Sequence, residues 1–108
     1  MKLPLEITFR NMDASDALEA DIRSKAEKLD QFYGRVMSCR VVVEAPHKHH
    51  HQGNTYQVRI DMTVPDGELV ISRDRGQNHA HEDPYVAVRD AFDAVRRQLQ
   101  DYVDRRRD

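Results

Sequence analysis

The side chains best placed to do chemistry in this chain are cations at helical spacing, and the chemistry they suit is phosphate binding. From Tyr85 onward, Val88, Phe92, Val95, Leu99 and Val103 recur every three or four residues and form one apolar stripe. At about 100° per residue, Arg89, Arg96 and Arg107 fall along one edge of that stripe. Arg97 stands further round, on the water side. Arg23, Lys25 and Lys28 lie in an earlier helical run, with both lysines at the margin of its stripe. A guanidinium grips phosphate bidentately, whereas an ammonium acts as a point charge. Cations beside a core-facing stripe can rest on a polyanion while the helix stays docked. Arg105 and Arg107 extend the set into a basic tail able to wrap RNA or to favour the helix C-terminal dipole. Tyr85 is expected as a core or half-core aromatic; stacking on a splayed base would need its ring exposed. A mixed-charge helix face is in itself ordinary solvated surface, so these positions need a structure to bring them together.

Other chemistries find less support. His47, His49, His50 and His51, with His79 and His81 in a second polar segment, invite a metal. Consecutive histidines in a loop cannot all converge on one ion, and no His-Glu-x-x-His pattern accompanies them. They read as a solvated feature that gains charge as pH falls, and no metal site is expected. There is no nucleophile elbow, no phosphate-cradling glycine loop and no metal-spaced Cys/His set. The expectation is therefore a non-enzyme without cofactor or small-molecule substrate.

At 108 residues the chain is expected to form a single domain over 1–108. The formal net charge is −2, so RNA binding would have to rest on charge segregation rather than on total charge. Cys39 is the one cysteine, which excludes an internal disulfide; it alternates with apolar neighbours and reads as a core side chain. No apolar run approaches the ~20 residues of a membrane span, and Met-Lys-Leu-Pro-Leu lacks a signal-peptide core. A cytoplasmic monomer with no membrane partner is the expectation.

The elements that must position the cations are legible from their periods. Leu5, Ile7 and Phe9 alternate with polar residues as a half-buried strand. Ser15 caps a helix whose apolar positions are Leu18, Ile22, Ala26, Leu29, Phe32 and Tyr33, closed by Gly34. Val36 to Glu44 reads as a second strand, with Met37, Cys39, Val41 and Val43 on one face. Tyr56, Val58, Ile60 and Met62 mark a third strand, and Leu69 and Ile71 a fourth. Pro65-Asp66-Gly67 turns the chain between them, with Gly67 tolerant of positive φ. A polar connection runs from Arg73 to His81. Asp83 then caps the second helix, with Pro84 at its first position. The fold class is α+β, a β-α-β-β-β-α order giving a four-stranded mixed sheet with two helices packed on one face. The first strand–helix–strand unit is expected to be parallel and the remaining strands antiparallel, with the other sheet face solvated.

These segments resemble a known family, the ribosome hibernation promoting factors and ribosome-associated inhibitors, also called sigma-54 modulation proteins. The resemblance runs through Ile7-Thr8, Ser15-Asp16-Ala17-Leu18, Lys25 to Leu29 with Phe32-Tyr33, and Val64 to Val70. It continues in Glu82-Asp83-Pro84-Tyr85-Val86-Ala87-Val88 and Arg96-Arg97-Gln98-Leu99. It implies the same β-α-β-β-β-α fold, no catalysis, and binding in the messenger and tRNA channel of the small ribosomal subunit in resting or stressed cells. The chain resembles the short form of the family. It departs from the pattern in its acidic first helix, its negative net charge and its histidine cluster. Those departures keep a different expectation open: a protein-interaction regulator acting without RNA, through the acidic helix and a sheet edge.

Overall fold

Each helix starts where a side chain replaces a missing backbone partner. A computed structural model describes residues 3–46, 55–73 and 83–106. In it the Ser15 hydroxyl accepts from the Leu18 N–H at 3.2 Å and opens α1 (Asp16–Phe32). The Asp83 carboxylate accepts from the Tyr85 N–H at 2.8 Å and opens α2 (Pro84–Arg105). The strands are β1 (Leu5–Arg10), β2 (Ser38–Glu44), β3 (Gln57–Val64) and β4 (Gly67–Arg73). They lie in the order β1-β2-β3-β4, with β1 parallel to β2 and the other pairs antiparallel.

The register puts like with like. Ile7 faces Val41, Val41 faces Ile60, and Ile60 faces Ile71 across all four strands. One row further along, Leu5, Cys39, Met62 and Leu69 align in the same way. Because side chains alternate, all of these point to one face. That face packs on Leu18, Ile22, Ala26 and Leu29 of α1 and on Val88, Phe92, Val95 and Leu99 of α2. The opposite face carries Glu6, Arg40 and Asp61 in one cross-strand row and Thr8, Val42, Arg59 and Ser72 in the next. It is open to water, as the alternation implies.

α2 lies over β3 and β4, and α1 over β1. The helices sit side by side and run parallel, because α1 returns the chain between two parallel strands and α2 follows the antiparallel meander. Their C-terminal ends meet: the Tyr33 and Tyr102 rings pack edge to face at 5.8 Å. Arg106 crosses to the β3–β4 turn, where its guanidinium pairs with Asp66. Cys39 sits in this core as expected, and burial pushes its thiol up to about 12, with the Asp61 carboxylate adding to the effect.

Four local expectations change. Met37 is 55% exposed rather than core: its N–H bonds to the carbonyl of Thr63, already the partner of Ser38, so the regular alternation breaks there and Val36 is buried instead. Gly34 does not cap α1; Tyr33 does, in extended backbone, donating its N–H to the Leu29 carbonyl at 2.9 Å. Gly67 is not a positive-φ turn residue: Pro65 and Asp66 make the turn, and Gly67 already pairs with Val64. The left-handed residue is Asn11, at φ 60, where it ends β1 and sends its side-chain amide to the Ala45 and Pro46 carbonyls at 3.3 Å. Arg73 closes β4 instead of opening the polar connection. The histidine cluster, the segment through His79 and His81, and Arg107 lie outside the described residues.

Candidate nucleic-acid interface

The packing of the helices decides which cations share a surface. The Arg96 guanidinium lies over the Phe32 ring, 4.8 Å from its centroid. This contact fixes the facing sides. α1 turns its Lys25, Lys28 and Phe32 side toward α2, and α2 turns its Arg89 and Arg96 side toward α1. The two basic margins expected from the sequence thus run along one shared seam between parallel helices. Stacking on an aromatic face holds the Arg96 fork while leaving its donors free, an interaction worth about 0.5–1 kcal/mol at an exposed site.

The cations of the seam differ in how committed they are. Lys25 donates to the Asp21 carboxylate at 3.0 Å, and the other Asp21 oxygen is buried without a partner. Arg89 pairs with its neighbour Asp90 at 3.1 Å while remaining largely exposed. Among the described residues, Lys28, Arg96 and Arg97 have no carboxylate within ion-pair distance. Arg97 stands on the outer, water-facing surface of α2. The seam is therefore positive with one carboxylate, Asp21, built into it, while Asp90 holds Arg89 from the outer side of α2, where Arg97 also stands.

Tyr85 differs from the core or half-core expectation, since its ring is 42% exposed. It shares the edge of the α2 stripe with Val103 rather than its centre, where Val88 and Val95 are fully covered. That edge is the α1-facing one, so the ring lies on the same side as Arg89 and Arg96. The remaining residues are not brought to the seam. Arg23 is held by Glu19 at 3.0 Å on the side of α1 turned away from Phe32. Arg105 is exposed on the β4 side of α2, from which Gln98 donates to the Val70 carbonyl at 3.4 Å. Phe32 is the residue that sequence reasoning placed only in the core stripe, although its spacing against Lys28 put it at the same margin.

The open sheet face is a second polar surface. Arg10, Arg40, Arg59, Glu44, Asp61 and Ser72 surround Val42 in a shallow depression of about 400 Å³. Its charges largely satisfy one another: Arg40 pairs with Glu6 and Arg59 with Asp61, each at 3.1 Å. Among the described residues no cluster of histidine, cysteine and carboxylates is arranged to hold a metal ion, and no helix is long and apolar enough to cross a membrane.

Residues 5–107 match the family described as Sigma 54 modulation protein / S30EA ribosomal protein, and the chain belongs to that family. A ribosome hibernation promotion factor of Deinococcus radiodurans is 23% identical over 100 residues, covering 93% of this chain and 49% of that protein. The chain thus spans about half the length of this curated relative. The fold matches the crystal structure of the Thermus thermophilus Protein Y N-terminal domain, with a TM-score of 0.69 at 19% identity, over 94% of this chain and 99% of that one. A ribosomal subunit interface protein from Coxiella burnetii gives a TM-score of 0.75 at 15% identity with the same coverage. The β-α-β-β-β-α architecture is shared with both.

Proposed function

We propose that this chain is a non-enzymatic hibernation factor that lays the α1–α2 seam on RNA of the small ribosomal subunit, in the messenger and tRNA channel. It acts there by occupancy and blocks translation in resting or stressed cells. Family membership and the name of the Deinococcus relative support association with the ribosome. The observation that carries the choice of surface is the stacking of Arg96 on Phe32, which joins two separate basic margins into one seam. A folded wedge with unpaired cations along one ridge excludes messenger and tRNA both sterically and through phosphate contact. A ribosome-bound factor works in the cytoplasm.

Sedimentation with small subunits across a salt series tests the reading. Each phosphate contact contributes about 0.7–0.9 to the fall of log affinity with log salt. Reversing Arg89, Arg96 and Arg97 together to glutamate is expected to abolish co-sedimentation while circular dichroism stays unchanged. Unaltered co-sedimentation of a folded triple variant would falsify the assignment of this surface.

A further inference from the structure

We infer that the free edge of β1 is a docking strand for an extended, lysine- or arginine-rich peptide segment of a protein partner. β1 lies at the end of the sheet, and its ladder to β2 uses alternate residues. The Pro4 carbonyl accepts from the Cys39 N–H and the Arg10 carbonyl from the Ala45 N–H, both at 3.0 Å. By the parity of a parallel ladder, the N–H and C=O groups of Leu5, Ile7 and Phe9 point away from β2. Among the described residues nothing pairs with them. Such a row of donors and acceptors is a template for an added strand, and natural proteins usually cover or blunt it. Here the other edge is blunted, since Gln98 of α2 reaches the Val70 carbonyl of β4. Among the described residues, the β1 edge carries no equivalent contact.

Charge selects the occupant. α1 lies over β1 and turns its Phe32 side inward to α2, so its opposite side overhangs the free edge. That side bears Asp16, Glu19 and Asp30, against Arg23 alone, which Glu19 already holds. On the other sheet face the edge carries Glu6, which Arg40 holds, and Arg10, so the acidic selection comes from the α1 side. Leu5, Ile7 and Phe9 are only half-buried, because no further strand covers them. An added peptide would set aliphatic stems against these three side chains. Its ammonium or guanidinium heads would reach the α1 carboxylates, as long basic side chains do at apolar–polar borders. A second copy of the chain fits poorly, because self-pairing of β1 sets two acidic α1 sides against each other. The edge and the Arg96 seam lie on opposite sides of α1.

The test uses the whole chain and a seven-residue amidated peptide alternating lysine with valine, followed by amide NMR shifts. Shifts centred on Leu5, Ile7 and Phe9 are expected, with a matched glutamate–valine peptide producing none. The E19K/D30K variant, altered only at exposed or half-exposed positions, is expected to bind about fivefold more weakly. I7P removes one outward donor at an edge position that tolerates proline, and is expected to abolish the shifts. Both variants should retain sedimentation with small subunits, which separates this inference from the seam assignment. Shifts confined to the α1 surface, no shifts at millimolar peptide, or shifts that appear on raising protein concentration without peptide would each overturn it.

Discussion

Arg96 and Phe32 belong to different helices, yet the guanidinium of one lies 4.8 Å from the ring centroid of the other, and this contact is what makes two charged margins one surface. A double-mutant cycle over Arg96→Ala and Phe32→Ala should return a coupling of about 0.5–1 kcal/mol in urea unfolding. Arg96→Lys should retain the charge but lose most of that coupling, because an ammonium cannot stack as a planar fork does. A coupling indistinguishable from zero would mean that the stack does not hold the seam together.

Asp21 sits inside the seam, ties up Lys25, and has one carboxylate oxygen buried without a partner. Asp21→Asn removes a negative charge and frees that lysine. Affinity for small subunits should rise several-fold and the salt slope should steepen, by about 0.7–0.9 for one added phosphate contact. Weaker binding by a folded Asp21→Asn would show that the Asp21–Lys25 pair is needed for positioning.

The helix caps offer a stability test away from the charged seam. Ser15→Ala and Asp83→Ala each delete one acceptor for an orphan N–H and should each cost about 1 kcal/mol. Their effects should add, since the two caps belong to separate helices and share no partner. Denaturant midpoints with unchanged m-values would check this.

Cys39 provides a reporter of opening. The thiol is buried between β1 and β3 and pushed up to about 12, chiefly by desolvation, so the neutral form is favoured in the folded chain. Thiol reagents at pH 8 should label it at the rate of global unfolding. The unfolded thiol titrates near its ordinary value of 9.0, and the folded one near 12. The stabilisation by the neutral thiol is therefore full below pH 9 and is lost as pH rises from about 9 to 12, by at most about 1.4 kcal/mol per pH unit. Cys39→Ala should remove this alkaline slope.

Much of the fold was legible because its two periods are clean. Val58, Ile60 and Met62 alternate without interruption, and the α2 stripe from Val88 to Leu99 is fully buried as spaced. Patterns fail where an element ends, since apolar residues can continue a period after regular pairing has stopped. Met37 continues the β2 alternation in sequence, yet the regular alternation breaks there and Val36 is buried instead. Gly34 and Gly67 carry turn chemistry that their neighbours make unnecessary: Tyr33 caps α1 in extended backbone, and Pro65-Asp66 complete the hairpin. The candidate site was legible at the level of helix margins and no further. Whether Arg23 or Lys28 faces α2 depends on how each helix is rotated against the other, which a single helical wheel does not contain. Neither does it show that Asp21 would hold Lys25, or that Phe32 would carry Arg96.

The parallel pairing of β1 with β2 also shapes the order in which the chain can assemble. Leu5 aligns with Cys39 and Glu6 with Arg40, 34 positions downstream, whereas β3 and β4 meet across a two-residue hairpin. During synthesis the first strand therefore emerges long before its ladder exists, and it waits with Leu5, Ile7 and Phe9 uncovered. The hairpin closes locally, but its apolar side stays bare until the final helix arrives with Val88, Val95 and Leu99. The polypeptide therefore stays adhesive until α2 docks, and β1 is the strand left longest without a mate.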